Sequence, residues 1–377
     1  MYLLDVKEGS QRRDPLLTLK RLGCLLGILL IYGLPVILAY NLSGWIEPLV
    51  EINILAPIKS LVIVFPTFIE QLLIGNYGIL TLGIFSFVWA FPVVLFISFS
   101  IAISDELRLK EVVTTHLDPW LRKIGLNGQD LVPILSGYGC NVVAIYQTQA
   151  CKACTRGACV SQISFGSACS YQIGATLSIF HVIGQPWLFI PYLLILFVVG
   201  AMHTRFWYGK QERNLSFFLK PKLRKALNWK KIMNKLKNSL NQFLLQAIPI
   251  FLLICALASI LEVLGLVRWL GIQVGPVFEF LHFPAESGVI MLFSIIRKDG
   301  ILLLNQGEGA LLQSITSGEL FVLVYLASTL SACAVTLWAI KKEMGKSYMI
   351  RLVLKQVSTA VLSASIILLS VRIFLSL

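Results

Sequence analysis

A chain of 377 residues would ordinarily fold as two or three soluble domains, but 57% apolar residues, 14% charged residues and a mean hydropathy of +0.80 exclude that class. The formal net charge of +13 invites a nucleic-acid reading, and its placement argues against one. Residues 205–237 hold eleven Lys or Arg against the single acid Glu212, in a loop between two apolar blocks. Such a loop fits positive-inside topology and contact with anionic lipid, so the lipid bilayer is the expected partner and nucleic acid is not.

Uncharged runs occupy 22–40, 71–104, 157–204, 238–261, 320–340 and 356–371. A crossing takes about 20 apolar residues, so most of these runs are long enough and 157–204 can cross twice. The expected fold is an all-α polytopic membrane protein with about eight membrane helices, broken or re-entrant hairpins included. Residues 1–21 are largely polar, and the run after them lacks an Ala-x-Ala exit, so they are expected as a cytoplasmic tail rather than a cleaved signal. Residues 22–40 are then the first permanent span. Lys7, Arg12, Arg13, Lys20 and Arg21 place the N-terminus in the cytoplasm, and the basic turn 341–351 falls on the same side.

Segment 105–123 is charged and helical in pattern, with Arg108, Lys110, Arg122 and Lys123 on the cytoplasmic side. Three apolar segments, 131–150, 160–183 and 186–202, separate it from the basic loop. Three full crossings cannot return to the same face, so one segment enters and leaves by one side. Segment 131–150 is the candidate, because Pro133, Ser136, Gly137, Gly139, Asn141, Gln147 and Gln149 are too polar and helix-breaking for lipid. Broken backbone at membrane depth is tolerated where it lines a cavity or is buried in protein. A kinked, protein-buried helix with no transport role is the competing reading.

The second half repeats this plan. Residues 238–261 leave the cytoplasm, 262–282 is amphipathic, and a short run 287–296 ends in Arg297, Lys298 and Asp299 before the span 320–340. Ser-Ala-Cys occurs twice, at Ser167-Ala168-Cys169 and Ser331-Ala332-Cys333. Pro92 precedes the first copy by 75 residues and Pro249 precedes the second by 82. Shared order, spacing and tripeptide indicate two gate-type repeats, 22–204 and 239–377, flanking the loop 205–238. Such duplications put the substrate at the interface of the halves. Chance likeness between apolar helices is the alternative.

Eight cysteines divide into groups. Cys24 and Cys255 lie on apolar helix faces and read as small buried hydrophobes. Cys140, Cys169 and Cys333 belong to the glycine-rich hairpin and the two repeat helices, where soft sulfur and flexible backbone suit a soft or borderline cation. No disulfide framework is expected. The spacing Cys151-x-x-Cys154-x4-Cys159 offers a chelating or redox cluster, with free thiols as the other reading. Among acids near spans, Glu262 and Glu279 read as interface residues, while Asp105, Glu106 and Glu286 stay open between interface and function. His181 and His203 are isolated metal-ligand candidates, and His116 and His282 weaker ones. The sequons at Asn41 and Asn214 are matches at chance level.

No enzyme signature is present. Gly345-Lys346-Ser347 lacks the phosphate-loop glycine, which is Ile340 here, and no zincin or nucleophile-elbow motif occurs. A non-enzymatic transporter follows, with no permanently bound cofactor expected.

Residues 132–142, Val-Pro-Ile-Leu-Ser-Gly-Tyr-Gly-Cys-Asn-Val, resemble the Pro-Leu-x-x-Gly-Phe-Gly-Cys-Asn-Val hairpin of the membrane part of bacterial ferrous-iron transporter B, with its gate segments. Residues 333–343, Cys-Ala-Val-Thr-Leu-Trp-Ala-Ile-Lys-Lys-Glu, are similar to that family's C-terminal Cys-x-Ala-Thr-x-x-Ala-Ile-Lys-Arg-Glu. Ser167-Ala168-Cys169 resembles its Ser-Cys segment, residues 296–299 its Arg/Ala-Lys-Glu stretch, and Asp105-Glu106 its acidic pair. The likeness runs from about residue 22 to the C-terminus. It implies ferrous-iron uptake across a bacterial inner membrane, with Cys140, Asn141, Cys169 and Cys333 on the pathway. Ser136, Asp105, Glu106, Glu286, Cys151, Cys154 and Cys159 are secondary candidates. That family's GTP-binding domain does not appear in this sequence, and Val143 stands where a proline normally follows Asn-Val. A separately encoded GTPase, a small accessory subunit of the same system or a second copy of the chain are the protein partners the resemblance raises. A carrier of nucleosides or other small neutral solutes, and a non-transporting membrane scaffold, are the alternatives.

Overall fold

Apolar side chains outnumber what one core can hold, so the fold must leave many of them outside, and it does. In a computed structural model, residues 15–375 are described apart from 76–77, 210–226, 281–282, 297, 306–311 and 313–314. Every regular element among the described residues is helical. Leu354, Leu362, Ile366 and Leu369 of the last helix, Lys346–Leu375, are exposed, as are Leu22, Leu26, Leu30 and Leu34 of the first. The interior holds Asn141, Ser167, Gln172, His203, Thr204, Ser328 and Gln356, all buried. An apolar exterior, around a largely apolar core that also holds these polar side chains, fits a multi-pass membrane protein.

Five helical stretches are long and apolar enough to cross a membrane: Leu22–Val62, Phe87–Glu106, Pro186–Tyr208, Ser317–Met344 and Lys346–Ile373. The first differs from the expected span 22–40. Its helix runs Pro15–Val50 and continues through a π-helical turn, Glu51–Leu55, into Ala56–Val62. Forty-one residues make about 60 Å of helix, twice the hydrocarbon core. The polar residues after Tyr40 do not stop it because they are satisfied in place. Asn41 donates to the Ile37 carbonyl at 2.9 Å, and Ser43 donates across to the Val88 carbonyl at 3.0 Å.

The remaining elements follow one order twice. First come a long helix Ile79–Glu106, an amphipathic helix Leu109–Leu121, and a pair of seven-residue helices, Leu131–Gly137 and Asn141–Gln147, packed on each other around Tyr138-Gly139-Cys140. A helix broken at the tripeptide follows, as Ala153–Gly166 and Ser170–Val182, and then the uninterrupted Phe189–Tyr208. The second pass runs Ile248–Val263, the amphipathic Leu266–Phe280, and the pair Glu286–Ile296 and Lys298–Asn305. Its broken helix, Ser317–Thr329 and Ala334–Met344, is again interrupted at Ser-Ala-Cys, and Lys346–Leu375 closes it.

Packing between the passes is reciprocal. The second arm of hairpin one, Asn141–Gln147, lies on Ala334–Met344, the latter half of broken helix two. The second arm of hairpin two, Lys298–Asn305, lies on Ser170–Val182, the latter half of broken helix one. Each first arm packs against the leading half of its own broken helix. The arms of the two hairpins and the two broken helices therefore pack on one another across the two passes. Basic residues 210–226, the N-terminal residues 1–14, His282 and Asn214 lie outside the described residues.

Candidate functional site

The three cysteines singled out from the sequence occupy one structural position, three times. Cys140 precedes Asn141–Gln147, Cys169 precedes Ser170–Val182 and Cys333 precedes Ala334–Met344, each as the extended residue that starts a helix. The backbone at Cys169 (φ −69°, ψ 163°) and Cys333 (φ −63°, ψ 156°) is nearly identical, as two copies of one break require. A helix start leaves peptide N–H groups outside the intrahelical ladder, and each sulfur sits at such a start.

Hairpin one is sewn to break one by neutral groups. The Ser170 N–H donates to the Gly139 carbonyl at 3.1 Å, the Ser167 hydroxyl to Asn141 Oδ1 at 2.9 Å, and the Tyr138 hydroxyl to the Gly166 carbonyl at 3.3 Å. Gly137 makes the approach possible, since a Cβ there would lie 2.7 Å from Ser167 Oγ.

Hairpin two is sewn to break two by a charge. Lys298, 4% exposed, donates from Nζ to the carbonyls of Ala327 (2.9 Å), Ser328 (2.7 Å) and Ser331. These are carbonyls that lose their intrahelical partners where Ser317–Thr329 ends, and an ammonium has three donors to meet them. The ammonium lies within electrostatic reach of both Cys169 and Cys333, and Cys333 within reach of Cys140. The three thiols thus surround one neighbourhood. Cys140 is exposed, Cys169 is buried and Cys333 is half-buried.

The floor of this neighbourhood is polar. Tyr192, fully buried, accepts from Gln172 Nε2 at 2.6 Å and bonds the Ser328 hydroxyl at 2.7 Å. Among the described residues, Gln172 Oε1 and Ser287 Oγ are buried without a hydrogen-bond partner, so acceptor capacity remains for water or a solute. Cys333 Sγ is 3.1 Å from Thr336 Oγ1.

The secondary candidates lie variously. Ser136 bonds back to the Val132 carbonyl at 3.0 Å within its own arm. Asp105 pairs with Lys235 at 3.1 Å, Glu106 is buried at the end of Ile79–Glu106, and Glu286 is an exposed first residue of hairpin two. Cys151 and Cys159 are buried together with Sγ atoms 3.5 Å apart, and Cys154 is half-buried outside that pair. No disulfide joins cysteines among the described residues. His181 is bonded to the Tyr40 hydroxyl at 2.7 Å, and His203 to Thr359 (2.8 Å) and Ser161 (3.1 Å) while stacked on Phe165. His116 bonds the Val112 carbonyl at 2.8 Å. Cys255 is a buried hydrophobe as expected, but Cys24 is half-buried.

The sequence singled out Lys298 only as part of a charged triplet and of a family-like stretch, with no site role, and Gln172, Tyr192 and Ser328 did not stand out. Lys298 carried a usable signal, a lysine a few residues beyond a short apolar run and before another. The three polar residues had none, because their meeting depends on how helices pack.

Residues 87–183 match the family described as Gate, nucleoside recognition, covering the first hairpin and the first broken helix. Over nearly the whole length, 96% of this chain and 93% of the other, the fold is similar to a solved structure of a doubly substituted CNTnw in an outward-facing state, with a TM-score of 0.50 and 12% identity. That likeness concerns the fold alone. No curated protein sequence matches the chain.

Proposed function

We propose that this chain carries a borderline divalent metal ion, ferrous iron first among them, across a membrane through the seam between the hairpins and the broken helices. The carrying observation is that Cys140, Cys169 and Cys333 each stand at the start of a helix, with Lys298 in reach of Cys169 and Cys333, and Cys333 in reach of Cys140. Fe(II) accepts both sulfur and oxygen ligands, and Asn141 Oδ1 and the Gly139 carbonyl offer oxygen beside the sulfurs. Binding needs thiolates, so protons leave as the ion arrives. Unwound backbone at the breaks supplies ligands without lipid-exposed polar groups.

Lys298 sets a limit on this pathway. Its ammonium holds the second break, and it would repel a dication seated between Cys169 and Cys333. A site with its own tethered cation holds one metal ion loosely rather than several tightly, which suits release. The reciprocal packing supplies the moving parts, since each hairpin bears on the other repeat's broken helix.

Uptake of a nucleoside or another small neutral solute is a second reading. It is favoured by the nucleoside-recognition match and by the uncharged floor of Gln172, Tyr192 and Ser328. One assay separates the two. Proteoliposomes holding the protein are offered radiolabelled Fe(II) or radiolabelled uridine, with wild type and the Cys140→Ser, Cys169→Ser and Cys333→Ser variants. Iron uptake lost in the serine variants supports the thiol pathway; uridine uptake indifferent to them supports the second reading and overturns the first.

A further inference from the structure

A second group of thiols lies away from the seam, at the base of hairpin one. Asp130, Cys151 and Cys159 are all buried, and one ligand atom from each falls within 4.8 Å of the others. The two Sγ atoms are 3.5 Å apart, Cys159 Sγ is 3.6 Å from the Asp130 carbonyl, and Thr155 Oγ1 is 3.1 Å from Asp130 Oδ1. The three residues come from three places. Asp130 directly precedes the first arm of the hairpin, Cys151 follows the turn after its second arm, and Cys159 lies within Ala153–Gly166.

The sequence spacing grouped Cys154 with Cys151 and Cys159, and the fold replaces it with Asp130. Positions 154 and 159 are five residues apart on one helix, which turns them about 140° from each other. Cys151 stands before that helix begins, so its direction is not tied to the helical period. The carboxylate that takes Cys154's place is held by a capping box: Asp130 Oδ2 accepts the Asn127 N–H at 2.8 Å, and the Asn127 side chain accepts in return.

We propose that Asp130, Cys151 and Cys159 bind a zinc-like divalent ion through two thiolates and one carboxylate. Tetrahedral Zn–S and Zn–O bonds of about 2.3 and 2.0 Å place the sulfurs about 3.8 Å apart, a few tenths of an ångström from the spacing present. Thr155 Oγ1 or a water completes the fourth position. Two thiolates, a carboxylate and a dication leave one negative charge, and Arg156 lies within electrostatic reach of Cys159 and Lys152 of Asp130. The ion ties both ends of hairpin one to the leading half of broken helix one. It therefore stiffens the base on which the hairpin turns, whichever solute the seam carries, and the proposal does not rest on the transport reading.

The test uses the full-length protein purified under reducing conditions in nanodiscs, with Zn(II) and Co(II) as probes. Thiol alkylation is followed residue by residue by mass spectrometry. Zn(II) is expected to slow modification of Cys151 and Cys159 by roughly tenfold or more, and to leave Cys154 unchanged, because a metal-held thiolate is not a free nucleophile. Co(II) is expected to give thiolate charge-transfer absorption at roughly one equivalent in the Cys140→Ser/Cys169→Ser/Cys333→Ser variant, which removes any contribution from the seam. Loss of that absorption in Cys159→Ser supports the site. Unprotected Cys151 and Cys159 in the wild-type protein, or their recovery as a disulfide that excludes both metals, overturns it.

Discussion

The Lys298 ammonium sits 2.7 Å from the Ser328 carbonyl oxygen, and the hydroxyl of the same serine sits 2.7 Å from the Tyr192 hydroxyl. One residue of broken helix two thus joins the charge on hairpin two to the helix that closes the first repeat. Lys298→Met keeps much of the stem and removes three donors from carbonyls in a buried setting. Leaving such groups unpaired costs about 1–3 kcal/mol, and several share this ammonium. The expected outcome is a lowered thermal midpoint in detergent and uptake reduced at least tenfold. A methionine variant with wild-type stability and uptake removes Lys298 from the account of the second break.

Gly137 and Ser167 govern the first break. A Cβ at position 137 would meet Ser167 Oγ at 2.7 Å and Ser167 Cβ at 3.1 Å, so Gly137→Ala pushes the hairpin off the break. Overpacking of this kind costs about 1–3 kcal/mol. Adding Ser167→Ala takes away the nearer atom and is expected to recover part of the thermal midpoint. It also removes the hydrogen bond to Asn141, so uptake should stay low while stability returns. Recovery of both together would mean that the Ser167–Asn141 bond has no part in transport.

Residue types made part of this arrangement legible. Seven polar or helix-breaking residues between 131 and 150 marked the first hairpin, and the repeated Ser-Ala-Cys marked two related helices but not that each is interrupted there. What could not be read was which hairpin leans on which broken helix. Neither Asn141–Gln147 nor Ala334–Met344 carries a pattern naming the other, because apolar helix faces are interchangeable in sequence. The buried role of Lys298 was missed for a related reason. A charged triplet after a short apolar run is what a membrane-water boundary also produces, and only the carbonyls of Ala327, Ser328 and Ser331 distinguish a buried ammonium from an interfacial one. The first span was read too short because absence of charge was taken to set its length. In the fold its polar residues bond to their own helix or to the neighbouring one.

Gly200 and Gly166 are where the first broken helix meets Phe189–Tyr208 at backbone contact. A Cβ on Gly200 would lie 2.6 Å from the Gly166 Cα, which has no flexible end to give way. Small residues at such crossings let helices pack closely in lipid. Gly200→Ala is expected to lower the thermal midpoint, to disturb the neighbouring Thr204–Gln162 hydrogen bond (2.8 Å), and to cost about 1–3 kcal/mol. Equal midpoints for wild type and variant would show that the two helices separate without penalty.

Arg156 and Glu343 tie the two repeats at the edge near hairpin one's base. The guanidinium lies 2.7 Å from Glu343 Oε2, which also accepts from Gln149 Nε2 at 2.8 Å. Glu343 belongs to Ala334–Met344, the helix on which hairpin one rests, so the pair fixes that helix against the hairpin's exit. Both side chains are partly exposed, and pairs of that kind contribute little to overall stability. Their effect should appear in uptake rather than in the thermal midpoint. Arg156→Glu and Glu343→Arg are each expected to slow uptake by repulsion and by loss of the Gln149 contact or its setting. The doubly exchanged protein regains opposite charges at the same separation and should recover a substantial part of the rate. Single reversals without effect, or a double exchange slower than both, would show that the contact does not hold the repeats in a working arrangement.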